Sequence, residues 1–384
     1  MTRITCLLAV FLCCLDVAAP SAVGAQQRPL RLAVVGLSHG HAPMILGRKD
    51  RGDVLVVGIY EPNREVAERY AGRYGLPAAV FFTDLGKMLD EVKPEAAAVF
   101  GTTFDHLAAV QACAPRGIHV MVEKPLAVSL EHALQIEALA KKHRVHVLTN
   151  YETSWYASNH AVYDLAHKEK ALGPIRKIVV HDGHQGPQEI KVPAEFFKWL
   201  TDPALNGGGA LMDFGCYGAN LATWLMDGAG PVTVTAVTQQ FKPDIYPKVE
   251  DEATIILGYC DAQAIIQASW NWPTNRKDME VYGRDGYAHA VDGRNVRRRK
   301  AGEEQELPLT LERRPAPFDD PFAYFAAVVR GDVRIGQADL SSLANNMTVM
   351  RILDAATRSA ATGQTVKLTS DQCAGPGNSP PARR

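Results

Sequence analysis

The sequence predicts an α/β protein in two parts: an N-terminal doubly wound parallel sheet, then a C-terminal α+β region with a large, mostly antiparallel open sheet. Three observations carry this. From residue 31 to 150, short apolar runs alternate with amphipathic helical stretches. Beyond Tyr151 the runs follow one another without long helices between them. One long helical stretch, about 340–362, closes the pattern before "TVKL".

The apolar runs of the first part are "LAVVG" (32–36), "VLVVGIY" (54–60), "AAAVF" (96–100), "IHVMV" (118–122) and "VHVLT" (145–149). Strands buried on both faces read as continuous apolar runs, and helices between them make the sheet parallel. "SLEHALQIEALAKKH" (129–143) has helical amphipathicity, with Ser129 placed as its N-cap. In the second part "IRKIVVHDG", "VTVTAVTQQF", "EATIILGY", "QAIIQASWNW" and "DMEVYG" are strands in succession, many of them alternating. That pattern belongs to a largely antiparallel sheet.

At 384 residues the chain suits two domains. A formal charge of -1 gives no polycation for nucleic acid, and an apolar fraction of 47% is that of an ordinary globular protein. "MTRITCLLAVFLCCLDVAAP" has one early cation, Arg3, and an apolar stretch interrupted by Asp16; "AVGA" follows. Residues 1–25 therefore read as a secretory signal cut after Ala25, which makes the mature protein periplasmic or secreted, with no membrane span after signal removal. Cys113, Cys216, Cys260 and Cys373 then remain, widely spaced, as neither a disulfide framework nor a zinc site. The Pro/Gly-rich tail, 368–384, reads as disordered. Between these ends lie a first domain over 29–150 and a second over 151–367.

In an open α/β sheet, ligands bind beyond the carboxyl ends of the strands. There the chain places "GLSHGH", Glu61, "GTTFDH", "EKP" (123–125) and "NYE" (150–152). Glu61 lies 25 residues beyond Gly36, near the spacing of about 20 for the acid that binds an adenosine ribose. Its carboxylate would repel a 2′-phosphate, so NAD is favoured over NADP, with Arg64 the one opposing feature. Gly36 gives the tight turn, Gly40 a close backbone approach and Ser38 a hydroxyl for the pyrophosphate, with the next helix's N-terminus as the anion site. His39 and His41 make a poor metal site, since no carboxylate or thiol is near in sequence; no metal is expected. This is a Rossmann reading, with cofactor contacts from Gly36, Ser38, His39, Gly40, Glu61, Thr102, Thr103, His106, Glu123 and Lys124.

"HVMVEKPLA", followed by "GGGALMDFGCYGANLATWLM", resembles the Gfo/Idh/MocA oxidoreductase family over roughly residues 30 to 367. The resemblance implies NAD(P) in the first domain, oxidation of a ring carbinol of a sugar or cyclitol, and a cis Lys124–Pro125 bond. It also implies a homodimer or homotetramer formed through the exposed face of the C-terminal sheet. Departures are the two missing glycines of the fingerprint and a Tyr at 217 where many members carry His.

In "ALMDFGCYGANLATWLM" the residues Asp213, Tyr217 and Asn220 fall at i, i+4 and i+7, a polar stripe on an apolar helix. Buried polar groups need partners, and a polyol would supply them. The expected catalytic set is Lys124, Tyr217 and Asp213. Lys124, its pKa lowered by partial desolvation, takes the carbinol proton; Tyr217 relays it and Asp213 orients. Asn150, Tyr151, Trp155, His181, His184 and Asn220 are the substrate candidates. His181 and His184 also stand as an alternative metal pair, and Trp270 and Trp272 as stacking or core residues. The reading is a secreted NAD-dependent oxidoreductase of a sugar, glycoside or polyol. Its rivals are an NAD-dependent glycosidase working by transient oxidation and elimination, and a non-catalytic sugar or cofactor binder.

Overall fold

The computed structural model describes residues 28–368. The expected leader and cleavage point, and the tail from residue 369, lie outside the described residues. The first sheet contains β1 (Leu30–Val35), β2 (Val54–Tyr60), β3 (Phe81–Phe82), β4 (Ala96–Val99), β5 (His119–Glu123) and β6 (Val147–Asn150). Their order is β3-β2-β1-β4-β5-β6, all parallel. Order reverses between β1 and β4, which opens the ligand crevice at their carboxyl ends. The expected strands all form; only the two-residue β3 escapes a periodicity reading. Ser129 caps the helix Leu130–His143, its Oγ accepting from His132 N at 3.2 Å.

One feature of the first sheet departs from expectation. The segment after β1 makes a single helical turn, Pro43–Leu46, with proline at its start. The proline lacks an N–H, and one turn sums little dipole, so the expected helix-terminus anion site is absent. So short a turn also covers little of the sheet. A helix from the far end of the chain, Pro321–Arg330, fills in: Phe322, Phe325 and Val328 share a core with Leu32, Val34, Ala96 and Ala98.

The second sheet has β7 (Ile175–Gly183), β8 (Thr233–Gln239), β9 (Glu252–Gly258), β10 (Gln263–Ser269), β11 (Arg276–Gly283), β12 (Gly286–Ala290), β13 (Asn295–Lys300), β14 (Leu307–Thr310) and β15 (Val366–Lys367). The order is β14-β13-β12-β11-β7-β10-β9-β8-β15, antiparallel except for β7 beside β10. β12 to β14 went unread because they are short, with β13 (NVRRRK) carrying cations instead of apolar alternation and the edge strand β14 (LPLT) only four residues long. The helix Gly215–Leu225 lies on β10 at Gly218, where a Cβ would stand 2.4 Å from Ile266. The helix Leu343–Thr362 packs on that helix, on β8 and on Leu130–His143, and so joins the two sheets' layers. Among the described residues no helix is long and apolar enough to cross a membrane. Cys113 and Cys216 are buried thiols, while Cys260 is disulfide-bonded, a link the cysteine spacing did not reveal.

Candidate active site

The turn after β1 is shaped for a dinucleotide. Gly36 has φ 79°, and a Cβ on it would meet the Gly101 backbone at 2.8 Å. Only glycine fits there. Glu61, at the end of β2, is buried, with one carboxylate oxygen accepting from Leu37 N and the other from Asn63 N, both at 2.8 Å. Burial raises its pKa, and these two N–H groups oppose the rise. Gly36, Ser38, Glu61, Pro62, Leu85 and Gly101 line a cavity of about 220 Å³. Arg64 points away, exposed and bound to Glu68 at 2.6 Å. The glycine cradle, the free face of Glu61 and the cavity fit the adenosine end of NAD.

Next to it lies a second cavity of about 350 Å³, which takes residues from both domains. Its inner wall includes Lys124, Asp213 and Tyr217, with His41 and His184 beside them. The Lys124–Pro125 bond at the end of β5 is cis. Lys124 Nζ donates to Asp213 Oδ1 and, at 3.1 Å, to the Asp213 carbonyl. Trp270 Nε1 donates to the other carboxylate oxygen at 3.0 Å. Burial alone would push the lysine down and the aspartate up. Their mutual attraction outweighs it, so Lys124 lies above and Asp213 below its ordinary value. This corrects the expected lowered lysine: the pair holds Lys124 as an ammonium.

Tyr217 lies under two cations, Lys124 Nζ at 5.1 Å and Lys277 Nζ at 4.9 Å from its ring centre. Burial keeps its phenol protonated. Lys277, on β11, binds Glu152, whose second oxygen accepts from Tyr156 OH at 2.6 Å. His184 Nδ1 accepts from Gly186 N at 2.9 Å, and burial lowers its pKa to about 4, so it faces the cavity as a neutral N–H donor.

The helix Ala194–Leu200 of the second domain spans the dinucleotide turn. Phe196 lies 3.2 Å from where a Gly40 Cβ would be, and Trp199 Nε1 reaches Ser38 O at 3.3 Å. His39 sits beneath, 2% exposed, its pKa driven well down by burial and then by the neighbouring side chains of His41, Lys124 and His106.

The remaining expected residues divide. Thr102 is tied to Asp105, its hydroxyl at 2.7 Å, and Thr103 Oγ1 donates to Asn206 at 3.1 Å. His106 is buried near His39 with Nδ1 3.2 Å from Leu126 O and Nε2 without a partner. Burial lowers its pKa to about 4. Of the substrate candidates, only His184 lines the cavity. Asn150 holds Glu123 at 2.8 Å and accepts from Trp155 Nε1 at 3.0 Å; Tyr151 is buried behind Tyr217. His181 turns the other way: Ile178 and Val180 belong to the core, so alternation sends His181 to the opposite face, with Asp278 at 3.1 Å. It shares no site with His184.

The polar stripe is also not one cylinder. Asp213 ends a separate turn, Ala210–Asp213, and Phe214 breaks the path before Gly215–Leu225. Asn220 on the longer helix donates to Leu340 O at 2.8 Å, away from the cavity. Lys277 and Phe196 escaped the sequence reading, being distant in sequence from every motif, while Glu152 stood in "NYE" at the rim but was given no role of its own. No carboxylate is near the histidine pair in sequence, but the fold brings one from 82 residues away: Glu123 Oε2 is 2.9 Å from His41 Nδ1. His39, His41 and Glu123 are one of two groupings with metal-ligand spacing among the described residues. Hydrogen bonds already join them: His41 N also donates to His39 Nδ1 at 3.0 Å.

Comparison with known proteins agrees with this geometry. Residues 30–151 match the model of an oxidoreductase family with an NAD-binding Rossmann fold, and residues 165–289 match the GFO/IDH/MocA C-terminal domain. The 1,5-anhydro-D-fructose reductase of Ensifer adhaerens is 23% identical over 351 residues, 88% of this chain and 98% of that protein. The trans-1,2-dihydrobenzene-1,2-diol dehydrogenase of Xenopus tropicalis is 26% identical over 236 residues, 61% of this chain and 66% of the relative, just under two thirds of its length. Among solved structures, the aldose-aldose oxidoreductase of Caulobacter crescentus complexed with glycerol superposes with a TM-score of 0.74 at 24% identity, covering 89% of this chain and 100% of that one. An inositol dehydrogenase homolog from Azotobacter vinelandii complexed with NAD+ gives 0.76 at 19% identity, over 89% and 98%.

Proposed function

This chain belongs to the Gfo/Idh/MocA family of NAD-binding oxidoreductases, and from that premise we propose that it moves hydride between NAD and a ring carbinol of a sugar, glycoside or polyol. The observation that carries the proposal is the Lys124–Asp213 pair beside Tyr217, facing a cavity that adjoins the dinucleotide turn. NAD supplies the hydride acceptor when bound. Lys124, held charged, and the Tyr217 phenol grip the oxygen of the reacting carbinol. Asp213 fixes Lys124. His184, Lys277, Gln185 and Asn275 offer polar groups to further hydroxyls, while Phe196, Phe214 and Leu200 give the cavity apolar walls.

Three finer statements belong to the same reading. The protein works outside the cytoplasm, supported by the leader and by the Cys260 disulfide. It retains its nucleotide, supported by Phe196 and Trp199 lying across the turn. It assembles as a homodimer or homotetramer through the outer face of the nine-stranded sheet, where Val237 and Tyr282 are exposed.

The test takes purified mature protein, D-glucose, methyl β-D-glucopyranoside and myo-inositol as probes, and the fluorescence of reduced nicotinamide as readout. Reduction with at least one probe is expected; none with any probe rejects the reading. Denaturing the same protein, purified without added nucleotide, should release stoichiometric NAD. An empty protein that works only with added NAD rejects retention.

A further inference from the structure

Oxidising a carbinol removes a hydride and a proton, and the proton needs a base. Lys124 carries charge in its pair with Asp213, Asp213 is spent on Lys124 and Trp270, and the Tyr217 phenol is held protonated by burial. None of them accepts a proton near neutral pH without dissolving a buried ion pair.

The same cavity holds another candidate. His41 lines it with Lys124, Asp213 and Tyr217, and its side chain is 28% exposed. Behind the ring stands Glu123, 2% exposed, with one oxygen 2.9 Å from His41 Nδ1. The other oxygen accepts from Asn150 Nδ2 at 2.8 Å, and Asn150 Oδ1 accepts from Trp155 Nε1 at 3.0 Å. Glu123 is therefore fixed in position. Burial favours its protonation, but His41, Asn150 and Lys124 outweigh burial and keep it a carboxylate. A carboxylate at Nδ1 requires the proton there, which leaves Nε2 of neutral His41 as an acceptor. The His41 backbone is pinned as well, through its N–H to His39 Nδ1 at 3.0 Å. Other charged or titratable groups around the ring are His39 on its own turn, Lys124 at the end of β5, Glu152 after β6 and Lys277 on β11.

We propose that His41, oriented by Glu123, is the general base of the oxidation and the general acid of the reverse reaction. The inference rests on the dehydrogenase reading above. As NAD takes the hydride from carbon, the O–H bond breaks, its proton passes to His41 Nε2 and the C=O bond forms. Lys124 keeps its proton and holds the oxygen throughout. The imidazolium returns the proton to solvent through its exposed side. Glu123 is a positioning residue.

Two readouts test this. In full-length protein labelled with ¹⁵N-histidine, the His41 resonance, assigned by its loss in His41→Gln, should report the Nδ1–H tautomer at high pH. Glu123→Gln should abolish that preference. In turnover with NAD and the active probe, His41→Gln should lower kcat on the order of 10²–10⁴-fold. It should leave NAD affinity by calorimetry within a few fold and remove the acid limb of the kcat/KM profile. Glu123→Gln should shift that limb while retaining part of the rate, which a merely structural role would not do. If wild-type protein turns over and His41→Gln keeps both its rate and its acid limb, the inference is overturned and the dehydrogenase reading stands. A His41 tautomer indifferent to Glu123→Gln also overturns it. A wild type inert to all probes overturns the dehydrogenase reading, and this inference with it.

Discussion

The two adjoining cavities are built in opposite ways. The adenosine side draws every wall residue from one domain, from strand ends of the first sheet, the turns after them and the starts of two helices, with Gly36 and Glu61 among them. The reaction side is assembled from a strand end, a loop and helices of the second domain, and β11. Its polar groups come in pairs: Lys124 with Asp213, both buried and charged, and, with one member of each open to solvent, Lys277 with Glu152 and His41 with Glu123. A cavity of the first kind loses contacts one at a time. In the second, removing one charge strands another in a low-dielectric wall, where a broken buried pair costs about 3–5 kcal/mol.

Lys124 should therefore show the largest effect. Lys124→Ala should lose hydride transfer by on the order of 10²–10⁴-fold while keeping NAD. It should also lower thermal stability, because Asp213 is left unpaired. Adding Asp213→Asn should restore much of the stability and none of the turnover. A double variant as unstable as the single would mean that the pair is not the unit described. Native turnover by Lys124→Ala would remove Lys124 from the chemistry.

On the adenosine side the expected loss is smaller and falls on affinity. Glu61→Ala should weaken NAD by roughly tenfold, since a hydrogen bond to a charged group contributes about 1.5–3 kcal/mol. NADP, which gains nothing from Glu61, should weaken less, so the gap between the two narrows. Calorimetry giving the native protein equal affinity for both nucleotides would contradict the role assigned to Glu61. A change in kcat at saturating NAD would show the cavities to be less independent than their walls indicate.

The same contrast explains what was legible in the sequence. Gly36, Glu61 and "EKP" each sit at the carboxyl end of an apolar run, so periodicity alone brought them to one rim. Asp213 and Tyr217 were found because their motif is local. Lys277 and Phe196 were invisible: one is a lysine in an alternating strand, the other a phenylalanine on a short helix, and only tertiary packing turns them toward the cavity. The short helix after β1 defeated the anion-site expectation because Pro43 bars its extension toward β1 and Gly47 ends it after one turn. The lysine shift failed for a general reason. Burial predicts the sign only while the partner is unknown, and Asp213 lies 89 residues away.

The finest contrast lies between the neighbouring strands β7 and β11, whose two carboxylates stand on opposite faces of one sheet. Asp182 faces the helix layer, 1% exposed, with neither oxygen hydrogen-bonded. Burial raises its pKa well above the ordinary 3.8, with Lys277 opposing. Asp278, opposite His181 on the outer face, is bound by His181 and Arg276, which overcome burial and hold its pKa below 3.8. Below the unfolded value Asp182 is protonated in both states and costs nothing. As pH rises above it, the unfolded chain ionises while the folded one keeps its proton, so stability falls until the folded pKa is passed. Asp182→Asn should thus match wild type near pH 3 and exceed it toward pH 7. Asp278 has the opposite sign: its contribution is present above 3.8 and fades as pH falls through its folded value. Asp278→Asn should be weaker than wild type at pH 7 and approach it in acid. Urea midpoints of the three proteins at pH 3, 5 and 7 decide the matter. Three parallel curves would mean that neither carboxylate changes its proton affinity on folding, and that the two faces do not differ as their partners say.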